Sequence, residues 1–175
     1  MKTAYLKTTC FEFDQYTVKL FPIPQQRVTY YKFSITYQKE TKNQYQSQQI
    51  YSTQLAAFLA AGFFCLRALL DRKTCPALIV DIQSGQILSI NLPAFALLGI
   101  DAVGFNMPDF TGNSTIYEQI CQELQQTGNF HQSISLCNAD GHLIECTLDG
   151  QVWPHCSRWA IFCLRANHDD PILMN

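Results

Sequence analysis

PALIVDIQSGQILSINLPAFALL, residues 76–98, decides the fold. Residues 77–81 are an unbroken aliphatic run closed by Asp81, which reads as a buried strand. Gln83-Ser84-Gly85 is a turn signal, and residues 86–90 form a second strand. Asn91 then caps a short helix, Pro93 sits in its first turn and Gly99 ends it. The stretch therefore reads strand, tight turn, strand, helix.

Downstream, residues 100–112 read as irregular, punctuated by Gly104, Pro108 and Gly112. Thr115-Ile116-Tyr117-Glu118 fits a capping box. The helix it opens has Ile116, Ile120 and Leu124 on one face and stops at Thr127-Gly128. Residues 130–137 alternate, with Phe130, Ile134 and Leu136 facing one way. Asn138-Ala139-Asp140-Gly141 is a hairpin turn, and residues 142–148 and 158–165 are two further strands. Residues 149–157 connect them and carry Trp153, Pro154, His155 and Cys156. One antiparallel sheet with helices crossing one face satisfies this order of elements.

The order, and the local words, resemble the PAS domain family over residues 75–166. The run 77–81 with Gly85 resembles the family's first strand and turn. Asn91, Ala94, Leu97, Leu98, Gly99 and Ile100 resemble its Asn-x-x-Ala-x-x-Leu-Leu-Gly-aromatic segment, with Ile100 in place of the aromatic. Gly104 with Asp109-Phe110, and Asp140-Gly141 with Leu143-Ile144-Glu145, resemble its later motifs. The resemblance implies an α+β fold: a PAS-like five-stranded antiparallel sheet with short helices on one face. It also implies either a small ligand held between sheet and helices or a dimerising interaction module, and fold alone does not choose between them.

Specific chemistries of the family fare poorly on these residues. Light-sensing flavin domains carry a reactive Cys after Gly-x-Asn; here Gly104-Phe105-Asn106 is followed by Met107. Haem sensors commonly supply a His from the helix before the last three strands; residues 115–127 contain none, and the four His are His131, His142, His155 and His168. Anion sensing would need basic groups, and only Arg158 and Arg165 are present after residue 73. No cofactor is expected. An uncharged ligand would be lined by Phe95, Leu98, Ile116, Ile120, Phe130 and Ile134; a core filled by the same side chains is the favoured alternative.

Ahead of this domain lies a basic extension. Residues 10–13 and 16–21 are aromatic and β-branched, interrupted by Asp14-Gln15. Residues 22–26, with Pro22 and Pro24, break the run. Residues 28–38 alternate Tyr31, Phe33, Ile35 and Tyr37 against Lys32, Ser34, Thr36 and Gln38. The pattern predicts a β-hairpin followed by a polar loop over residues 39–49. Residues 50–70 then form a long apolar helix with Leu55, Leu59, Gly62, Leu66 and Leu69 on one face and Phe58 beside it. Its run free of polar side chains, residues 55–66, falls short of the ~20 residues that span a bilayer, so it reads as a helix packed against protein rather than lipid. The expected divisions are a β-rich extension over residues 1–47, a connecting and dimerising helix over 48–73, the PAS-like domain over 74–166 and a tail over 167–175.

Charge separates the same regions. Of 12 Lys/Arg and 14 Asp/Glu in the 175 residues, residues 1–73 carry +6 and residues 74–175 carry −8. The basic residues are scattered rather than clustered, which argues against nucleic-acid binding. The eight cysteines form no C-x-x-C pair, and MKTAYLKTTC has no apolar signal core, so a reducing cytoplasmic setting is expected. His155-Cys156 could be an activated thiolate pair, and Cys146, Cys163 and Cys137 could share a redox site. The bland alternatives are favoured: a loop His beside a partly buried Cys for the first, and small buried hydrophobes for the other cysteines.

The expectation is a non-catalytic signalling or regulatory adaptor acting on protein partners. It would dimerise through Leu55, Phe58, Leu59, Gly62, Leu66 and Leu69 on a helix packed over the outer sheet face. No output segment is read after the last strand, so the signal must pass by binding another protein. The alternatives are a small-molecule or redox sensor, and an assembly factor docked onto a larger complex through the N-terminal extension.

Overall fold

The computed structural model describes residues 7–13, 15–25, 28–38, 44–154 and 156–166. The chain divides into two units, residues 1–66 and 67–175, with the boundary inside a helix.

The first unit is a four-stranded antiparallel sheet whose strands lie in chain order: β1 (Thr9–Phe13), β2 (Tyr16–Gln25), β3 (Val28–Tyr37) and β4 (Gln44–Gln46). The register pairs Val18 with Ile35 and Leu20 with Phe33, so the alternation places all four on one buried face with Phe13 and Tyr16. The helix α1 (Gln54–Asp71) starts in this unit, where Thr53 Oγ1 accepts the Ala56 N–H at 3.1 Å. The Phe58 ring meets Phe11 at 4.7 Å and Phe13 at 5.5 Å between centroids, and Phe64 stacks on Tyr45 at 4.2 Å.

This is more sheet than the expected hairpin. β2 does not stop at Pro22 but continues to Gln25, pairing Pro22 with Tyr31 and Pro24 with Thr29. The reason is geometric. The Tyr31 N–H and C=O both bond Tyr51, at 2.8 Å each, on the far side of β3. The Pro22–Tyr31 pair is therefore a non-hydrogen-bonded one, and the proline nitrogens face the opposite edge of β2. Among the described residues β1 pairs only as far as Leu20, so no ladder bond is lost there. Residues 44–46 fall in the expected loop, yet they pair with Ser34, Ile35 and Thr36. Gln-Tyr-Gln has no apolar alternation to betray a strand. Ser47 holds it instead, donating its N–H to the Phe33 carbonyl at 2.9 Å and accepting the Phe33 N–H on Oγ at 3.1 Å.

The second unit is α+β. Its elements are β5 (Ala77–Asp81), β6 (Ile87–Ile90), α2 (Leu92–Leu98), α3 (Met107–Thr111), α4 (Ser114–Thr127), β7 (Asn129–Cys137), β8 (Leu143–Trp153) and β9 (Cys156–Ala166). The strands form one antiparallel sheet in the order β6-β5-β9-β8-β7. Leu78, Val80, Phe130, Ile134, Leu148, Phe162 and Leu164 project from one face and form a single core with Ala94, Leu98, Ile120 and Leu124 from the helices. Gly150 lets Phe162 lie flat on β8: a Cβ there would sit 2.6 Å from that ring.

Asn91 ties the unit's opening together. Its Oδ1 accepts the N–H of Ala94, capping α2 at 3.0 Å, and that of Ala77 at 2.9 Å. Its Nδ2 donates to the carbonyls of Leu70 (3.4 Å), Lys73 (3.2 Å) and Cys75 (2.9 Å). Gly99 closes α2 with φ 71°, a left-handed conformation that suits glycine.

Three local expectations change. The irregular stretch 100–112 contains α3, opened by the Asp109 carboxylate accepting the Asn106 N–H at 3.2 Å. The cap of α4 is Asn113, whose Oδ1 accepts the Thr115 N–H at 2.9 Å, rather than a box begun by Thr115. The β8–β9 connection is short, because β8 runs on to Trp153 and pairs it with Cys156.

Candidate functional site

The inner face of the second sheet decides what the six expected pocket residues do. Leu98, Ile120, Phe130 and Ile134 are all buried in the core, and Ile116 packs against it half-buried. They fill the space between sheet and helices. Phe95 is not with them: it is 45% exposed. α2 is a short helix that turns Ala94 and Leu98, four apart, inward, and the neighbouring position 95 faces solvent. Met107, in the place of a flavin-reactive cysteine, is a buried core side chain at the start of α3.

An open groove of about 580 Å³ lies elsewhere, lined by Ile82, Gln83, Leu124, Gln125, Gly128, Val152, Ser157 and Arg158. Its floor is apolar and its rim polar. Two neutral donors converge beneath it: Tyr117 Oη and Cys121 Sγ each donate to the Ile82 carbonyl at 3.4 Å. Burial, with the Cys121 hydrogen bond, pushes the Tyr117 phenol far up, and burial raises the Cys121 thiol too, so both keep their protons. At the rim, Arg158 Nε and Nη2 sit 2.6 and 2.5 Å from Asp81 Oδ2. Asp81 Oδ1 meanwhile accepts the N–H groups of Gln83 (3.0 Å) and Ser84 (3.4 Å), closing the β5–β6 turn. Burial alone would raise the Asp81 carboxyl; the Arg158 hydrogen bond, those N–H groups and the Arg158 charge hold it below the usual carboxylate range. The guanidinium is thus engaged by a carboxylate.

The outer face is polar over β7 and much of β8, whereas β9 presents Trp159, Ile161, Cys163 and Arg165 there. His131 and Arg165 both pair with Asp149, the latter at 3.0 Å, and Ser135 bonds Glu145 across the β7–β8 pair. Cys163 lies opposite Asp149 on this face. Cys146 is fully buried in the inner core, so the grouping of Cys146, Cys163 and Cys137 weighed as a redox site does not form. Strand alternation separates the two faces. Cys163 has another neighbour instead, the thiol of Cys75, whose proximity together with burial pushes Cys163 up to about 11. Burial alone raises Cys65 to about 12, and burial with the Glu145 charge raises Cys146 to about 11, which leaves both inert. Cys156 opens β9, half-buried, and His155 lies outside the described residues. Among the described residues no three His, Cys, Asp or Glu side chains come together as a metal site.

The expected interface residues on α1 separate into two groups. Leu55 is 65% exposed and Phe58, Leu59 and Leu69 are half-buried, whereas Gly62 and Leu66 are buried and present no free surface. The buried stripe runs instead through Ala57, Ala61 and Cys65, four apart, with Leu66 and Leu70 beside it. Small side chains let a helix approach a neighbour closely, so Ala57 and Ala61 go inward while Leu55, Leu59 and Leu69 are left at the flanks. By length and composition α1 could cross a membrane, with a mean hydropathy of 1.5 over 18 residues, a third of them buried. At its far end Arg67 Nη1 is 2.5 Å from Ser89 Oγ on β6.

Sequence reasoning missed the Asp81–Arg158 pair, the groove and the partnership of Cys75 with Cys163. Cys75 could have been found: it stands two residues before β5, and once β5 is laid beside β9 the register brings it to Cys163.

No family model matches the chain, and no curated protein matches its sequence. Solved structures do match. A LOV protein of Rhodobacter sphaeroides superposes with a TM-score of 0.55 at 15% identity, over 63% of this chain and 69% of that one. The PAS domain of a Colwellia psychrerythraea protein gives 0.52 at 18% identity, over 60% of this chain and 97% of that domain. The fold is PAS-like. A domain of a sensory box sensor histidine kinase/response regulator from Geobacter sulfurreducens is also similar, with a TM-score of 0.50 at 13% identity over 64% of this chain and 96% of that domain. At such identities the likeness speaks for the fold of the PAS-like unit and leaves its chemistry to its own residues.

Proposed function

We propose that this protein is a non-catalytic PAS-like regulatory adaptor of the cytoplasm, working through protein–protein contact and self-association. The observation that carries this reading is the filled interior: Leu98, Ile120, Phe130 and Ile134 occupy the space a ligand would need. Leu55 on α1 and Ile50 just before it remain exposed instead, with Leu59, one turn along from Leu55, half-buried. A second copy of the chain is the proposed partner for that strip. Light scattering on the full chain should give a dimer mass, and Leu55→Asp or Leu59→Asp should give a monomer with an unchanged circular dichroism spectrum. A monomeric parent protein, or a dimer that survives both substitutions, would sink this reading.

The groove above Ile82 favours a second reading, a sensor for a small uncharged molecule seated on Ile82, Leu124 and Val152. Native mass spectrometry of protein purified from its source separates the two: a bound small molecule supports the sensor, and a bare chain mass supports the adaptor.

A further inference from the structure

Cys75 and Cys163 come from opposite ends of the second unit and meet on one face of its sheet. Ala77 on β5 lies opposite Cys163 on β9, and the Leu164 N–H donates to the Pro76 carbonyl at 2.8 Å, which carries the ladder past the first residue of β5. Cys75 stands in a bend just before that point, and its thiol hydrogen-bonds the thiol of Cys163. Both are free and only half-buried, within reach of small solutes, unlike Cys65 and Cys146. No third ligand joins them among the described residues, so the pair is a dithiol and not part of a metal site.

We propose that Cys75 and Cys163 are an oxidative modification site, joined by a reversible disulfide under hydroperoxides. Cys163 is the poorer first nucleophile, since burial and its neighbour keep it protonated at neutral pH. The Cys75 sulfur therefore attacks the terminal peroxide oxygen; the O–O bond breaks, Cys75 becomes a sulfenic acid, and its thiol proton leaves with the departing oxygen as one water (or alcohol). The Cys163 sulfur then attacks the Cys75 sulfur, its proton leaves with the hydroxyl as a second water, and the S–S bond forms. The peroxide is reduced by two electrons and the two thiols are oxidised by two. A small dithiol reverses the step by exchange.

Position gives the bond a consequence. Cys75 lies in the connector between α1 and β5, outside the strand, so any movement needed to close the bond falls on the connector rather than on the sheet. The disulfide would fasten that connector to β9, which lies between β5 and β8. The inference stands apart from the adaptor reading, because it concerns one chain and survives whether or not the protein dimerises.

The test is peptide mapping of the full chain after hydrogen peroxide, with remaining thiols alkylated before digestion. The expected result is one linked species joining the Cys75 and Cys163 peptides, lost on dithiothreitol treatment. It is absent in Cys75→Ser and Cys163→Ser and retained in Cys146→Ser. Recovery of Cys75 alkylated, or over-oxidised and unlinked, overturns the proposal, as does its linkage to a different cysteine or to exposed Cys10 of a second chain. Should a serine variant fail to fold, the map of the parent protein decides alone.

Discussion

In the first unit every strand pairs with its neighbour in sequence, from β1 to β4, whereas in the PAS-like unit β5 lies between β6 and the last strand, β9. The means of holding them differ accordingly. Local hairpins take their register from turns and alternation, and the first unit adds aromatic contacts, Phe11 and Phe13 on Phe58 and Tyr45 on Phe64. A pairing between strands some 80 residues apart has no turn to set it. There the PAS-like unit places polar side chains with several obligations each. Asn91 fixes the start of β5, and Asp81 fixes its end against Arg158 on β9. A polar group that must satisfy several partners tolerates one alignment and penalises the rest.

The sharpest way to break that contrast is Asn91→Ala. It strips partners from the N–H groups of Ala77 and Ala94 and from three carbonyls, and should cost about 4 kcal/mol. Urea unfolding followed by tryptophan fluorescence reads it cleanly, because Trp153 and Trp159 are the two tryptophans of the chain and both belong to the PAS-like unit. A loss below about 1 kcal/mol would show that Asn91 does not set the register. Phe58→Ala comes next, at about 2 kcal/mol, since the ring is half-buried. It should appear in far-ultraviolet circular dichroism while the tryptophan midpoint stays put. A tryptophan midpoint that moves in step would mean that the two units unfold as one.

Asp81→Asn has the smallest effect, about 1 kcal/mol near neutral pH, since Asp81 is buried but Arg158 is exposed and its charge is screened. The Asp81 carboxyl is held low in the folded protein, so its contribution is full above the unfolded carboxylate value of about 3.9 and fades as pH falls through the lower folded value. The stability gap between parent and variant should therefore close in acid; a gap constant down to pH 2 would remove the charge from the account.

The stretch 76–98 was legible because its signals are local: an aliphatic run, a Gly turn, an Asn cap and a Gly stop each act within a few residues. The same holds for Phe130, Ile134 and Leu136 on β7. β4 was not legible, since Gln-Tyr-Gln is held by backbone bonds and by Ser47 rather than by any pattern of its own. The buried stripe of α1 was misread for a related reason. Hydrophobicity ranks leucine over alanine, but close packing of a helix ranks by size, and Ala57 and Ala61 went inside. Of the candidate lining residues, Leu98, Ile120, Phe130 and Ile134 lie in the core, where the alternation of β7 and the spacing of α4 point, whereas Phe95 is exposed, because periodicity is weak in a helix of seven residues. The Cys75–Cys163 encounter needed long-range pairing that no local word contains.

Pro22 and Pro24 bear on how copies of the chain could meet. Their nitrogens carry no hydrogen and face the edge of β2 that β1 leaves beyond Leu20. A strand from another molecule laid along that edge would find carbonyls but no donors at alternate positions, and half its own acceptors would go unmet. That stretch of the sheet is closed to edge-to-edge growth while still completing a ten-residue strand with β3.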